Sequence, residues 1–327
     1  MITHLALDGV LEGGLGVGID VTDTAAKITG DGNRVFRQRV VSTDGLPVRS
    51  GAGRTISVDG EPAASEDFGP GDILVIPGPS ASTETGVDRL LTGPGGARAV
   101  ELILGAAANG ATVAASCSAT FVLAASGLLS KRRATTTWWL APLFARRFPD
   151  VTLLSDRMVV DSGTVLTAGT AFAHADLMLA LVARLGGPEL AEDTARYLLL
   201  DARLSQSRYM VLEHLRSADP ALRAVEEHVH ANLDRRLTLG ELAGAASISP
   251  RTLTRRTREC LGVSPIEFVH RLRVSAATQL LTTTRQPVDA VATAVGYADP
   301  AAFRRIYRRH TGESPSSTRS RAKTGLP

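Results

Sequence analysis

The sequence predicts an α/β N-terminal domain and an all-α C-terminal domain with two helix-turn-helix motifs. Three observations carry this. Apolar strand-like runs alternate with helix-like segments over residues 1–185, the pattern of a mainly parallel sheet covered on both faces. From about residue 220 the pattern is wholly helical, and part of it recurs at a shift of 50. Charge divides in the same region: residues 216–327 hold 18 Lys and Arg against 10 Asp and Glu, whereas residues 1–215 hold 18 against 23. A basic third on an acidic body is what a polyanion-binding module attached to a different domain would show.

In chain order, "ITHLALD" (2–8) reads as a strand and Gly16 to about Gly30 as a helix. "FRQRVVS" (36–42) and "TISVDG" (55–60) read as strands, and "DILVIPG" (72–78) as a buried strand closing on a Pro-Gly turn. Residues 95–109 read as a helix, "TVAASC" (112–117) as a strand and 119–129 as a helix. "VTLLSD" and "MVVDSGTVLTAG" follow as a strand and a hairpin, then a strongly apolar helix over 171–185 and a more charged helical stretch over 188–212. The aromatic content is only 4%, so Ala, Val and Leu must fill the cores. Two cysteines, Cys117 and Cys260, make no disulfide framework, which points to a reducing cytoplasm. No apolar run reaches the ~18–20 residues that span a bilayer, and Met1 leads into a strand without a basic signal region; no membrane partner is expected.

The C-terminal repeat is specific. "GVSP" (262–265) recurs as "GESP" (312–315), and "SPRTLTRRTRECLG" (249–262) aligns with "DPAAFRRIYRRHTG" (299–312). Each copy reads as a short helix, a tight turn and a second helix. The first runs Leu239–Ala245, a turn near Ser247, then Pro250–Leu261; the second runs Val288–Val295, a turn at Gly296, then Pro300–Thr311. Ser249 and Asp299 are N-caps ahead of a Pro at the first helical position. Helical spacing puts Leu253 and Leu261 on one stripe, and Phe303, Ile306 and Tyr307 on its counterpart. The opposite stripe carries Arg251, Thr254, Arg255 and Arg258, and in the second copy Arg304, Arg305 and Arg308. An outward stripe of this kind is what a helix-turn-helix lays in the major groove, where Arg reads guanine or clamps phosphate.

The motifs "LGELAGAASISPRTLTRRTRECLGVSPIEFVHRLRVSAATQLL" and "VDAVATAVGYADPAAFRRIYRRHTGESP" resemble the DNA-binding domain of AraC/XylS-type transcription regulators. The resemblance spans about Ala221 to Arg319, with Ile266–Leu281 as the joining helix. It implies that Arg251, Thr254 and Arg255 in the first recognition helix, and Pro300, Ala301, Arg304 and Arg305 in the second, stand where family members reach bases. Pro300 and Ala301 offer no polar group, so the second helix is expected to read less sequence. One departure stands out. Thr257 takes a position where the family has a core aromatic, which implies looser packing in the first unit; the second copy keeps Tyr307.

"ASCSATF" (115–121) has a strand running through a cysteine into a helix, the layout of a nucleophile elbow. Together with "DILVIPG", "SGLLSKRRATTTWW" and "VLTAGTAFAHADLMLALVARL", it resembles the DJ-1/PfpI branch of the class I glutamine amidotransferase-like fold, as fused to AraC-type domains in GlxA-type regulators. That resemblance implies a flavodoxin-like parallel sheet. Its chemistry looks depleted. Ser118 follows the cysteine where hydrolytic relatives have His, Thr137 replaces the His of "ATTHW", and Gly14 stands where an acid often approaches the thiol. His174 is the histidine nearest in sequence pattern, and a helix packed on the sheet is its expected place. Cys117 is therefore expected to close a strand–helix turn beside an effector pocket of Pro77, Gly78, Cys117, Ser118 and Thr137, at the carboxyl ends of the strands.

"GGLGVG" (13–18) lacks the third glycine and the distant acid of a dinucleotide fingerprint. His228 and His230 are two apart on a helix and cannot share a metal. No cofactor and no metal are expected. The domain expectation is 1–208 for sensing or dimerisation, 209–220 as linker, 221–320 for DNA binding and 321–327 as a disordered tail. The function expected is a sequence-specific DNA-binding regulator, with double-stranded DNA, a small-molecule effector, RNA polymerase and a second copy as partners. Residues 171–185 and 188–212 are the dimer candidates. The alternative is a cysteine-dependent hydrolase or hydratase with a DNA-binding appendage.

Overall fold

The computed structural model describes residues 1–30, 34–60, 67–201, 206, 219–261 and 263–323. The chain forms two compact units, divided between Gln206 and Ser207.

In the N-terminal unit the strands are β1 Ile2–Leu5, β2 Gln38–Val41, β3 Val48–Arg49, β4 Thr55–Ile56, β5 Ile73–Ile76, β6 Thr112–Ser116, β7 Arg133–Ala134, β8 Thr152–Leu153, β9 Val159–Asp161 and β10 Val165–Ala168. Six of them make one sheet in the order β2-β1-β5-β6-β10-β9. Every neighbouring pair is parallel except β10 with β9 at the edge. Leaving out the edge strand, and numbering by appearance in the sheet, this is the 2-1-3-4-5 order of flavodoxin-like folds.

Successive side chains point to opposite faces of a strand, so the sheet has two cores. Leu5, Leu74, Ile76, Val113 and Ala115 meet α2 (Glu84–Thr92), α3 (Pro94–Ala108), α4 (Ala119–Ala125) and α5 (Ala141–Arg147). Ile2, Ile73, Val75, Ala114 and Leu166 meet α1 (Glu12–Thr29), α6 (Ala173–Gly186) and α7 (Pro188–Tyr197). The crossover after β1 thus lies on one face and that after β5 on the other, which opens a crevice between the carboxyl ends of those two strands.

Some sequence expectations need correction. "TISVDG" supplies only β4, paired with β3 outside the main sheet. Helix α2 has no counterpart in the sequence reading; Thr83 caps it through Gly86 N–H. The helix expected over 119–129 stops at Ala125, and the helical stretch expected over 188–212 ends at Tyr197 in the described residues. The expected linker, 209–220, lies outside the described residues apart from Asp219 and Pro220, which cap and open the next helix.

The C-terminal unit is helical throughout its described residues: α8 Pro220–His230, α9 Leu239–Ala245, α10 Pro250–Leu261, α11 Pro265–Thr283, α12 Val288–Ala294, α13 Pro300–Thr311 and α14 Pro315–Lys323. Pairs α9/α10 and α12/α13 have the bounds expected from the repeat, to within a residue. Thr238 and Glu241 form a reciprocal capping box at α9. Ser249 Oγ accepts from Thr252 N–H (3.1 Å), and Asp299 accepts from Ala301 and Ala302 N–H (2.8 and 3.1 Å), so both expected caps form. The two turns pass through positive φ, 54° at Ser247 and 80° at Gly296. Of the tail expected to be disordered, 321–323 belong to α14, and 324–327 lie outside the described residues.

Candidate functional site

On α10 the sequence pattern becomes two faces. Leu253 and Thr257 are fully buried and Leu261 nearly so, while Arg251, Arg255 and Arg258 are exposed. Thr254 is half-buried, its hydroxyl donating to Pro250 O (2.9 Å). Arg256 turns inward instead and pairs with Asp219 at the head of α8 (2.9 Å). The absent aromatic at Thr257 is replaced by polar economy: its hydroxyl donates to Leu253 O and Thr254 O within the helix (3.0 and 3.1 Å).

On α13, Phe303 and Tyr307 are fully buried, whereas Ala301, Arg304, Arg305 and Arg308 are exposed and Pro300 is half-buried. Ile306, assigned to the apolar stripe, is half-buried. Arg304 reaches back across the turn to Asp289 of α12 (2.5 Å). With Arg305, Arg308 and Arg309 it lines an open concavity of about 490 Å³. Arg309 is a residue the sequence reading passed over, although its i,i+4 spacing from Arg305 was a usable signal. It also pairs with Glu267 on α11 (2.8 Å).

The Cys117 loop has the elbow geometry and closed surroundings. Cys117 has φ 55° between β6 and α4, and its N–H is shared by Ala168 O and Gly169 O (3.1 and 2.7 Å). Ser118 Oγ donates to Pro79 O (2.6 Å), and Thr136 donates to Cys117 O (2.8 Å). Burial pushes the Cys117 thiol up; the Ser118 N–H and hydroxyl and the Thr137 hydroxyl act the other way and more weakly. A thiol raised in this way is protonated at neutral pH and is a poor nucleophile. Glu12, at the start of α1, and His174 have other partners. Both oxygens of Glu12 are engaged, by Ser50 Oγ (2.5 Å) and Arg54 (3.1 Å). His174 bonds Ser116 Oγ through Nδ1 (2.9 Å), and burial, helped by nearby His4, drives its pKa down to about 3. Gly18 leaves room for these two rings: a Cβ there would stand 2.8 Å from His174 Nε2.

The five residues expected to line an effector pocket are brought together, and all five are buried. Gly78 lies so close to the elbow that a Cβ on it would stand 2.5 Å from Cys117 Cβ and 2.9 Å from Ser116 O. The loops after β5 and β6 therefore pack on each other where the pocket was expected. A cavity of about 550 Å³ opens one strand over, at the crevice between β1 and β5. Asp8, Thr43, Ser80, Thr83 and Arg89 supply its polar walls, with the Gly-rich start of α3 (Gly93–Gly96) as part of its rim. Pro79, which receives the Ser118 hydroxyl, joins the cavity to the elbow. The switch of crossover face marks this crevice in advance, and the hydroxyl-rich "PSAST" after β5 was its sequence signal. Among the described residues no group of three or more His, Cys, Asp or Glu side chains is placed to hold a metal, and no helix is long and apolar enough to cross a membrane.

Residues 19–184 match the DJ-1/PfpI family, and residues 242–321 match a helix-turn-helix domain family. The chain belongs to the DJ-1/PfpI family, fused to an AraC-type helix-turn-helix domain. It is similar to the HTH-type transcriptional regulator CdhR of Pseudomonas aeruginosa, 29% identical over 289 residues, which covers 88% of this chain and 82% of that one. Similarity to the HTH-type transcriptional regulator GlxA of Rhizobium meliloti is 32% over 208 residues, 63% of this chain and 64% of the relative. The arabinose operon regulatory protein of Escherichia coli is 29% identical over 121 residues, 37% of this chain and 36% of its own. A crystal structure described as a candidate transcriptional regulator from Vibrio parahaemolyticus shares the fold, with a TM-score of 0.51 and 22% identity over 60% of this chain and 97% of the other.

Proposed function

We propose that this chain is a sequence-specific DNA-binding transcription regulator, with two helix-turn-helix units entering successive major grooves and an N-terminal unit that takes a small effector. One observation carries the reading: two capped helices at a constant sequence offset, each burying an apolar stripe and exposing Arg251, Arg255 and Arg258, or Arg304, Arg305 and Arg308. Relatives aligned over 88% and 90% of this chain, named as HTH-type transcriptional regulators, support it. On this reading, two recognition helices on one joining helix would meet two half-sites ~34 Å apart on one face of B-DNA. Selection from a random duplex pool, followed by a salt titration of the selected duplex, tests this. A steep fall of affinity with salt is expected, since several phosphates are neutralised; a flat response would count against the arginine faces.

The N-terminal unit is read as the sensing part. The thiol of Cys117 is buried and raised, so the hydrolase or hydratase alternative lacks an activated nucleophile. The β1/β5 cavity, with Asp8 and Arg89 among hydroxyl groups, suits a small polar molecule carrying charge. An effector there acts on DNA binding only through different affinities for two states of the protein. Both tryptophans, Trp138 and Trp139, lie in this unit. Thermal unfolding followed by their fluorescence against a panel of amino acids, carboxylates and polyols is expected to reveal a ligand whose shift disappears in Arg89→Ala or Asp8→Ala. A shift retained in both variants would move the site elsewhere. Helices α6 and α7 are the proposed contact with a second copy, to be checked by the mass of the chain in solution.

A further inference from the structure

Arg273 is an unusual residue in the middle of the joining helix α11. It is only 7% exposed, and burial lowers its pKa. Its Nη1 donates to Gly296 O (3.1 Å) and its Nη2 to Arg235 O (2.5 Å), while its guanidinium lies over the Tyr297 ring, 5.7 Å from the centroid. Arg235 is in the loop that leads into α9, the first helix-turn-helix pair. Gly296 is the turn of the second pair. One buried cation thus ties the entrance of one unit to the turn of the other, and its hydrogen-bond acceptors are backbone carbonyls rather than a carboxylate. Burying a cation in this way is costly, and planar Arg holds two carbonyls at fixed angles as no Lys can.

The turn is shaped around it. Gly296 has φ 80°, and a Cβ there would run into Leu233 O and would stand 2.7 Å from Arg273 Nη2. Tyr297 is fixed in turn by His270 Nδ1, 2.8 Å from its hydroxyl. The second recognition helix is pinned to the same joining helix through Tyr307 to Thr278 (2.9 Å) and Arg309 to Glu267 (2.8 Å).

From this geometry we infer that Arg273 sets the separation and rotational phase of the two recognition helices, and so determines which half-site spacing the protein accepts, without itself touching DNA. The inference rests on the two-groove reading above. Each inserted base pair turns the second half-site by about 35° and moves it along the axis, so a rigid pair of helices discriminates spacing and a loosened pair does not.

The test uses the full-length chain. The wild type first selects its duplex from a random pool; derivatives of that duplex then carry one to three base pairs inserted or removed between the half-sites. For the wild type, a two-base-pair insertion is expected to weaken binding by about tenfold or more, comparable to a serious mismatch. For Arg273→Met the same insertion is expected to cost about threefold or less, with Arg273→Lys between the two. Gly296→Ala, whose methyl displaces the same guanidinium, should flatten the profile while Arg273 is intact, and it serves as the readout if Arg273→Met does not fold by circular dichroism. Uniform weakening at every spacing in the folded variants, with the wild-type ratio preserved, would overturn the inference. A wild type that selects a single half-site, or ignores spacing, would instead overturn the two-groove reading.

Discussion

The two helix pairs, α9/α10 and α12/α13, share one layout and are fastened by different means. The second is built on rings: Tyr297, Phe303 and Tyr307 form a chain with centroids 5.4 and 5.5 Å apart, and Tyr307 also bonds Thr278 and Thr318. The first has Leu253 and Thr257 at the places of Phe303 and Tyr307, and gains its fixation from caps and the Arg256–Asp219 pair. Their outer faces differ in the opposite sense. Arg251 stands exposed on α10 where α13 has Ala301, and Arg304 on α13 is held by Asp289. On the proposed reading, the heavily packed unit serves more as a clamp and the lightly packed one reads more of the sequence.

The largest effect that sharpens this contrast is on stability. Tyr307→Ala removes a fully buried ring and leaves the hydroxyls of Thr278 and Thr318 without it; a loss of about 3–5 kcal/mol is expected from denaturant unfolding followed by far-ultraviolet circular dichroism. Thr257→Val, at the aligned position, should change stability by less than about 1.5 kcal/mol, since the hydroxyl bonds only carbonyls of its own helix. Comparable losses would erase the distinction.

Binding comes next. Arg255→Ala should cost about 1–3 kcal/mol on the selected duplex and relax base preference at one position. Arg304→Ala should cost toward the lower end of that range, because Arg304 must first leave Asp289. Titration of both variants against matched and scrambled duplexes separates base reading from phosphate clamping.

Acid should loosen the second unit before the first. His310 is buried in α13 and faces Glu267, Arg309, Arg271 and His270; burial, with the nearby cations, lowers its pKa to about 4 despite Glu267. The unfolded chain therefore binds its proton first, so stability is intact above about pH 6.5 and falls as pH drops toward 4, by no more than about 1.4 kcal/mol per pH unit for one proton. No histidine occurs in residues 239–261. Peptide-resolved hydrogen exchange between pH 7 and pH 4 should show α12 and α13 opening ahead of α9 and α10; the reverse order would contradict the assignment. The smallest effect is Asp289→Ala, which releases Arg304 from an exposed pair. A gain in affinity of up to about 1 kcal/mol is expected, and a loss would show that Asp289 positions Arg304 for DNA.

The helical repeat was legible because its punctuation is local. Ser249-Pro250 and Asp299-Pro300 mark helix starts through side chains two or three residues from the groups they cap, and Gly296 marks a turn by its own backbone. The alternation of strands and helices was legible through apolar runs such as "ILVI". Helix α2 was not, since "ETGVDRLLT" carries a glycine in its first turn and buries only Val87. The cavity between β1 and β5 was not legible, for a long-range reason. Whether the loops after β5 and β6 leave space depends on Gly78 meeting Cys117, 39 residues apart in sequence, and nothing near either residue encodes that contact. Arg273 was invisible for the same reason: its partners at Arg235 and Gly296 are brought to it only by the packed helices.

The most direct measurement is a hydroxyl-radical footprint of the full-length chain on the duplex it selects. Two protected patches are expected on one face of the helix, about 10 base pairs apart, with Arg304→Ala weakening one patch and Arg255→Ala the other. A single patch, or two whose protections fall together in both variants, would contradict the placement of α10 and α13 in successive grooves.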